Sequence, residues 1–219
     1  GVDIPAGKNL IGTFFQPKAV LADVSLLKTL PQRELSCGFA ELIKHAILFD
    51  PELFETLRER ADALLNLRDL PLMASLIARS CEWKASVVSE DEKERGRRAL
   101  LNLGHSFGHA VEKLQNFGGF SHGEAVAFGI AVACDVSVQT GLMPKEDAER
   151  CVELLRLYRL PATVSGLKPA DILAAMGSDK KNRRGKLRIV LPLRIGEATT
   201  REDPDRAILL DALGKRCND

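Results

Sequence analysis

The sequence has 219 residues, 45% apolar and 28% charged, long enough to bury roughly 70% of the surface its extended chain would expose. With 31 basic against 30 acidic residues the formal charge is +1, which excludes a nucleic-acid or membrane-surface protein built on bulk electrostatics but leaves room for local basic pockets. Aromatic residues make up only 5%, so the core is expected to be aliphatic, and five cysteines with no Cys-x-x-Cys pair read as free thiols in a reducing cytoplasm.

The chain opens "GVDIPAGKNLIG" without a methionine. Gly1, Pro5, Gly7, Gly12 and Pro17 punctuate residues 1–17, which read as loop, entered partway. "AVLADV" (19–24) is short, apolar and bounded, and predicts a strand; no sequence neighbour can pair with it, so it is expected as an orphan. From Pro31 the pattern turns helical, with Leu35, Phe39, Leu42, Ile43, Ala46 and Ile47 at helical spacing over 33–49. Further helices are expected over 51–66, 71–90, 96–115, 122–140, 144–158, 169–177 and 204–213, with Pro144 and Pro169 suited to first turns. "KLRIVLP" and "GEATTR" predict one hairpin across "LRIG". The stretch "AVAFGIAVACDVSVQTGL" holds Asp135 and several small or polar residues, so it reads as a buried helix rather than a membrane span; no signal peptide is visible.

Chemistry concentrates around "NLGHSFGHA" (102–110), which holds two of the four histidines. If 96–115 is one helix, Arg98, Asn102, His105 and His109 share a stripe whose flanks are greasy. Such polar groups are costly to bury unless paired or bound to something; the alternative is a solvated face. Gly104 and Gly108 each cost the helix about 1 kcal/mol relative to Ala, which makes sense where something approaches the backbone closely. "SHGE" (121–124) fits a capping box that holds His122 in a first turn. In "FAELIKHAIL" (39–48), Glu41, Lys44 and His45 share one face of an apolar stretch that could point inward. Three protein ligands with an open fourth position make a catalytic zinc site, and the candidates are Glu41, His45, His105, His109 and His122. Spacing alone favours the 105/109 pair; the His-Glu-x-x-His pattern of zinc peptidases is absent.

Taken together, "GKNLIG" (7–12), "LKTLPQRELSCGFAELIKH" (27–45), "KASVVSEDE" (84–92), "RALLNLGHSFGHAVE" (98–112, with the Arg at 98), "SHGEAVAFG" (121–129), "DKKN" (179–182) and "IVLP" (189–192) run in an order that resembles the 3-dehydroquinate synthases. The resemblance implies a mainly α fold: a helical metal- and substrate-binding domain over 33–219, preceded by a remnant (1–32) of an NAD-binding α/β domain to which the orphan strand would belong. It implies zinc or cobalt held by Glu41, His105 and His122. It places His109 beside the substrate phosphate and leaves His45 without a role. Lys44, Lys84, Arg98, Asn102, Lys180 and Asn9 become substrate or catalytic contacts, and Lys8, Leu26, Leu27, Lys28 and Thr29 become NAD contacts.

The implied substrate is a seven-carbon keto acid phosphate, whose anionic groups suit fixed lysines and arginines. The implied reaction oxidises a ring hydroxyl, eliminates phosphate, reduces the ketone again and closes a carbocycle by an aldol step, with NAD returned unchanged. A cytoplasmic homodimer, with no nucleic-acid or membrane partner, completes the expectation. The glycine-rich turns of the family's nucleotide-binding domain are not in these residues, so they are expected to bind NAD poorly and not to turn over alone. Related sugar-phosphate cyclases, metal-dependent polyol dehydrogenases and a non-catalytic metal-binding remnant are the alternatives. The basic run "DKKNRRGK" (179–186) reads as a phosphate-binding loop rather than a nucleic-acid patch.

Overall fold

Asp50 ends one helix and starts the next. Its N–H closes α1 (Gln32–Phe49) on the Ala46 carbonyl, and its carboxylate accepts the Leu53 N–H at 2.9 Å to open α2 (Pro51–Glu59), with Pro51 in the first turn where its missing N–H costs nothing. The same carboxylate takes the Arg79 guanidinium at 2.6 and 2.7 Å and the Trp83 indole N–H at 2.7 Å. Both donors lie on α4 (Leu70–Glu90), so one buried anion ties three helices together. A short α3 (Ala61–Leu65) intervenes: the single helix expected over 51–66 breaks at Arg60.

The computed structural model describes residues 2–4, 7–13, 18–91, 96–177 and 187–218, without the side chains of residues 3 and 7–9. Most of it is helical, with an aliphatic core as the composition implies. All five cysteines are free.

The amino-terminal expectations need correcting. Part of the presumed loop pairs instead, Val2–Ile4 (β1) running antiparallel to Gly7–Ile11 (β2). The expected strand over 19–24 does not form. Residues 19–23 have no regular structure and Val24–Thr29 is a 3-10 helix, because Asp23 caps it by accepting the Ser25 N–H at 2.9 Å. Val20 and Leu21 are left exposed, without a strand partner.

The second correction concerns 96–115. Arg97–Asn102 is a 3-10 helix, and α5 begins only at His105 and runs to Leu114. Gly104 between them has φ +79°, the left-handed region that favours glycine. The cause is α6 (His122–Gln139). A Cβ on Gly104 would lie 2.5 Å from the Val126 carbonyl oxygen, and one on Gly129 would overlap the Gly104 carbonyl oxygen. What approaches the backbone here is another helix. The stripe of Arg98, Asn102, His105 and His109 is therefore bent at a joint.

Helix α6 is buried on nearly all sides, without a gap from Ala125 to Cys134. Asp135, in the second half of the helix, accepts the Arg216 guanidinium at 2.6 and 2.9 Å. Among the described residues no helix is long and apolar enough to cross a membrane. Around α6 pack α1, α5, α7 (Lys145–Leu157), α9 (Arg206–Gly214) and the hairpin of β4 (Arg188–Arg194) and β5 (Glu197–Glu202), while α8 (Pro169–Gly177) packs on α5 and α9. The hairpin turns at Ile195–Gly196, inside the expected segment, and the Gly196 N–H donates to the Ile47 carbonyl at 2.8 Å. A parallel pair of β3 (Val164–Ser165) and β6 (Cys217–Asn218) was not foreseen; two-residue strands leave no alternating pattern to read.

Two outcomes follow. Gly129→Ala forces its methyl into the Gly104 carbonyl and should cost about 2 kcal/mol or more, read by urea unfolding. Burial alone would raise the Asp50 carboxyl, but its bonds from Leu53, Trp83 and Arg79 outweigh that and hold it below the ordinary 3.8. A depressed folded-state value means stability that is present above 3.8 and lost as the pH falls through the folded value. Asp50→Ala should therefore cost about 2–3 kcal/mol at neutral pH, and the gap from the parent protein should narrow as unfolding is repeated toward about pH 2.

Candidate metal centre

Helix α1 carries Lys44, only 3% exposed, whose ammonium donates to Glu41 Oε2 at 2.6 Å. Burial opposes the Glu41 charge, but the charge and hydrogen bond of Lys44, with His105, hold its carboxyl below the ordinary value. Its other oxygen, Oε1, is buried with no hydrogen-bond partner and lies 3.8 Å from His105 Nε2. A charged, unpartnered buried oxygen is expensive, and a cation is the group that would satisfy it.

His105 is the first residue of α5, directly after the Gly104 joint. Its Nδ1 lies 3.1 Å from the Leu103 carbonyl, so Nδ1–H donates there and the Nε2 lone pair is left facing Glu41. Burial first, then the Lys44 charge, push its pKa down to about 3. The ring is neutral at physiological pH, the form that binds metals.

His122 is the first residue of α6, whose start is fixed by the capping box foreseen from the sequence: the Ser121 N–H donates to Glu124 Oε2 at 2.8 Å. Glu124 also accepts Arg33 Nε of α1 at 2.8 Å, and Arg33 reaches the Gly119 carbonyl at 3.0 Å. The mouth of α6 is thereby strapped to the first turn of the helix that carries Glu41. One donor atom from each of Glu41, His105 and His122 lies within 4.8 Å of the others. A carboxylate and two imidazoles are a donor set that suits zinc, and imidazole equally suits cobalt.

The pair 105/109 that spacing favours is not what the geometry groups. The His105 and His109 rings meet edge-on at 5.4 Å, and His109 groups instead with Glu112 and His122. The His105 Nδ1 is taken by the Leu103 carbonyl, and its Nε2 is the nitrogen that lies toward Glu41, 3.8 Å from Oε1. His109 lies 5.9 Å from the His122 ring, beside the cluster. His45 is buried, with Nδ1 2.7 Å from Ser80 Oγ; burial, then Lys44, lowers its pKa to about 4.

Arg98 and Asn102 are half-buried on the 3-10 helix that leads into α5, and the Arg98 N–H donates to Asp91 Oδ2 at 3.1 Å. Lys84 is exposed on α4, and its charge is felt at His45. Leu26, Lys28 and Thr29 lie exposed on the first 3-10 helix, while Leu27 turns into an apolar hollow with Leu35, Phe39, Leu42 and Met73 that none of the histidines lines. Lys180 falls outside the described residues, as do the side chains of Lys8 and Asn9.

The sequence reading assigned nothing to Glu112. It is buried on α5 with its Oε1 3.4 Å from His122 Nδ1. Its signal was the continuation of the polar stripe, 105, 109, 112, at helical spacing.

A family model described as 3-dehydroquinate synthase C-terminal matches residues 38–182, and one described as 3-dehydroquinate synthase N-terminal matches residues 1–37. The chain belongs to the 3-dehydroquinate synthase family. The 3-dehydroquinate synthase of Nitrosospira multiformis is 46% identical over 213 residues, which are 97% of this chain and 58% of that protein. That of Caulobacter vibrioides is 49% identical over 214 residues, 95% of this chain and 58% of that protein. The chain thus spans 58% of the length of these curated relatives.

Among solved structures, 2-epi-5-epi-valiolone synthase from Streptomyces hygroscopicus subsp. jinggangensis, with NAD+ and Zn2+ bound, matches with a TM-score of 0.87 at 30% identity, covering 98% of this chain and 60% of that one. A 2-deoxy-scyllo-inosose synthase complexed with carbaglucose-6-phosphate, NAD+ and Co2+ shares the fold at a TM-score of 0.80 and 24% identity, covering 98% of this chain and 61% of that one.

The two histidine groupings separate by experiment. His122→Ala should release the metal, because three ligands cannot become two without a large loss, whereas His109→Ala should keep it. Zinc content after exhaustive dialysis checks both, and loss of metal from the His109 variant would favour the 105/109 spacing.

Proposed function

We propose that the chain serves a 3-dehydroquinate synthase, a lyase that converts a seven-carbon keto acid phosphate to 3-dehydroquinate and phosphate in the cytoplasm. Family membership supports the reaction, and the observation that carries the chemistry is the buried, unpartnered Oε1 of Glu41 beside the neutral His105. In this reading Glu41, His105 and His122 hold zinc or cobalt, and the solved neighbour bearing NAD+ and Zn2+ supports that cofactor pair. When bound, the cation supplies Lewis acidity toward a substrate hydroxyl, and NAD accepts a hydride and returns it.

The remaining work falls to this chain's own side chains. Lys44 pins Glu41 Oε2 and so aims Oε1. The Leu103 carbonyl fixes the His105 tautomer. Arg98 and Asn102, on the lead-in to α5, receive the carboxylate and hydroxyls of the substrate. His109, adjoining the cluster on the His122 side, takes or gives a proton at the phosphate. Lys84 and Lys180 add charge for the same anion, Asn9 contacts the substrate, and Lys8 with residues 26–29 faces NAD. We carry over from the family the assembly as a homodimer, and a division into a nucleotide-binding part (1–32) and a metal- and substrate-binding part (33–219).

The test is the product. With zinc and catalytic NAD, a full-length protein carrying these residues should release inorganic phosphate from the keto acid phosphate without net NADH, and Arg98→Ala should lower the rate by roughly 100-fold. Net NADH from a polyol would instead assign a dehydrogenase. Zinc uptake with neither activity would assign a non-catalytic metal-binding module.

A further inference from the structure

Glu112 is only 4% exposed, and a buried carboxylate needs compensation. Both of its oxygens approach one atom: Oε1 lies 3.4 Å and Oε2 3.5 Å from His122 Nδ1. His122 needs a holder, since its side chain is 46% exposed and sits at the mouth of α6. With Nδ1 engaged by a carboxylate, Nε2 is the nitrogen left for a cation.

We infer that Glu112 is a positioning residue of the metal centre: its buried carboxylate holds the His122 imidazole by Nδ1 and thereby presents Nε2 to the cation shared with Glu41 and His105. The proposal rests on the metal centre proposed above. The two imidazoles are then oriented alike. His105 gives its Nδ1–H to the Leu103 carbonyl and His122 gives its own to Glu112, so each is left with one free lone pair. Glu112 also groups with His109 and His122 as a direct trio. The outer role is favoured because the buried oxygen without a partner belongs to Glu41, whereas neither Glu112 oxygen is an orphan.

Competition with a zinc-binding dye gives the affinity of the purified protein. Glu112→Ala should weaken zinc by roughly 10- to 100-fold, and Glu112→Gln, which keeps a carbonyl acceptor, should recover most of that loss. The visible absorption of the Co2+-loaded Glu112→Ala protein should shift, which a purely structural role would not cause. If Glu112→Ala does not fold, Glu112→Asp decides: weaker zinc supports the proposal, and affinity within about twofold of the parent overturns it. Unchanged affinity in Glu112→Ala also overturns it. So does loss of metal from both Glu112→Ala and His109→Ala while Glu41→Ala keeps it, which would make Glu112 a ligand. If the parent protein takes up no zinc, the metal centre itself falls and this role with it. Parent binding that Glu112→Ala leaves intact removes the Glu112 role alone.

Discussion

The close crossing of α5 and α6 governs the rest of the molecule. Two backbones meet at Gly104 and Gly129 with no room for a side chain between them. That contact forces the left-handed joint at Gly104, ends the 3-10 helix before it, and starts α5 on a histidine. It also fixes how far the first turn of α6 stands from the first turn of α5. Two imidazoles on different helices therefore face one carboxylate of a third. A looser crossing, with side chains at the interface, would hold the helix axes about 8–10 Å apart and spread these donors.

Electrostatics complete what the packing begins. Lys44 is a buried cation that satisfies one oxygen of Glu41 and, with burial, discourages protonation of His105 and His45. The result is a charged carboxylate beside a neutral ring. Protonated histidines would repel a metal, and a protonated Glu41 would attract it poorly. Lys44 thus shapes the cluster without having to touch a cation itself.

The helical body was legible because its apolar residues recur at the helix period over long stretches, as from Leu35 to Ile47. The capping box at Ser121 and the hairpin near Gly196 were legible because their turn chemistry is local. The break at Gly104 was not, since a glycine in a helical pattern does not say whether the helix continues; the answer lies at Gly129, on another element. Asp23 likewise outweighed the apolar run around it, because one capping bond at a chain turn decides more than a strand pattern with no partner to pair with. The convergence of Glu41, His105 and His122 is a fact of tertiary packing that no spacing rule reaches, and family resemblance alone pointed to those three. Glu112 was in plain sight on the stripe but carried no metal-site pattern of its own.

Because α6 meets protein on every side from Ala125 to Cys134, a bulkier side chain anywhere along that run has nowhere to go. Room for a larger side chain is left at the open end of the helix, where His122 is exposed.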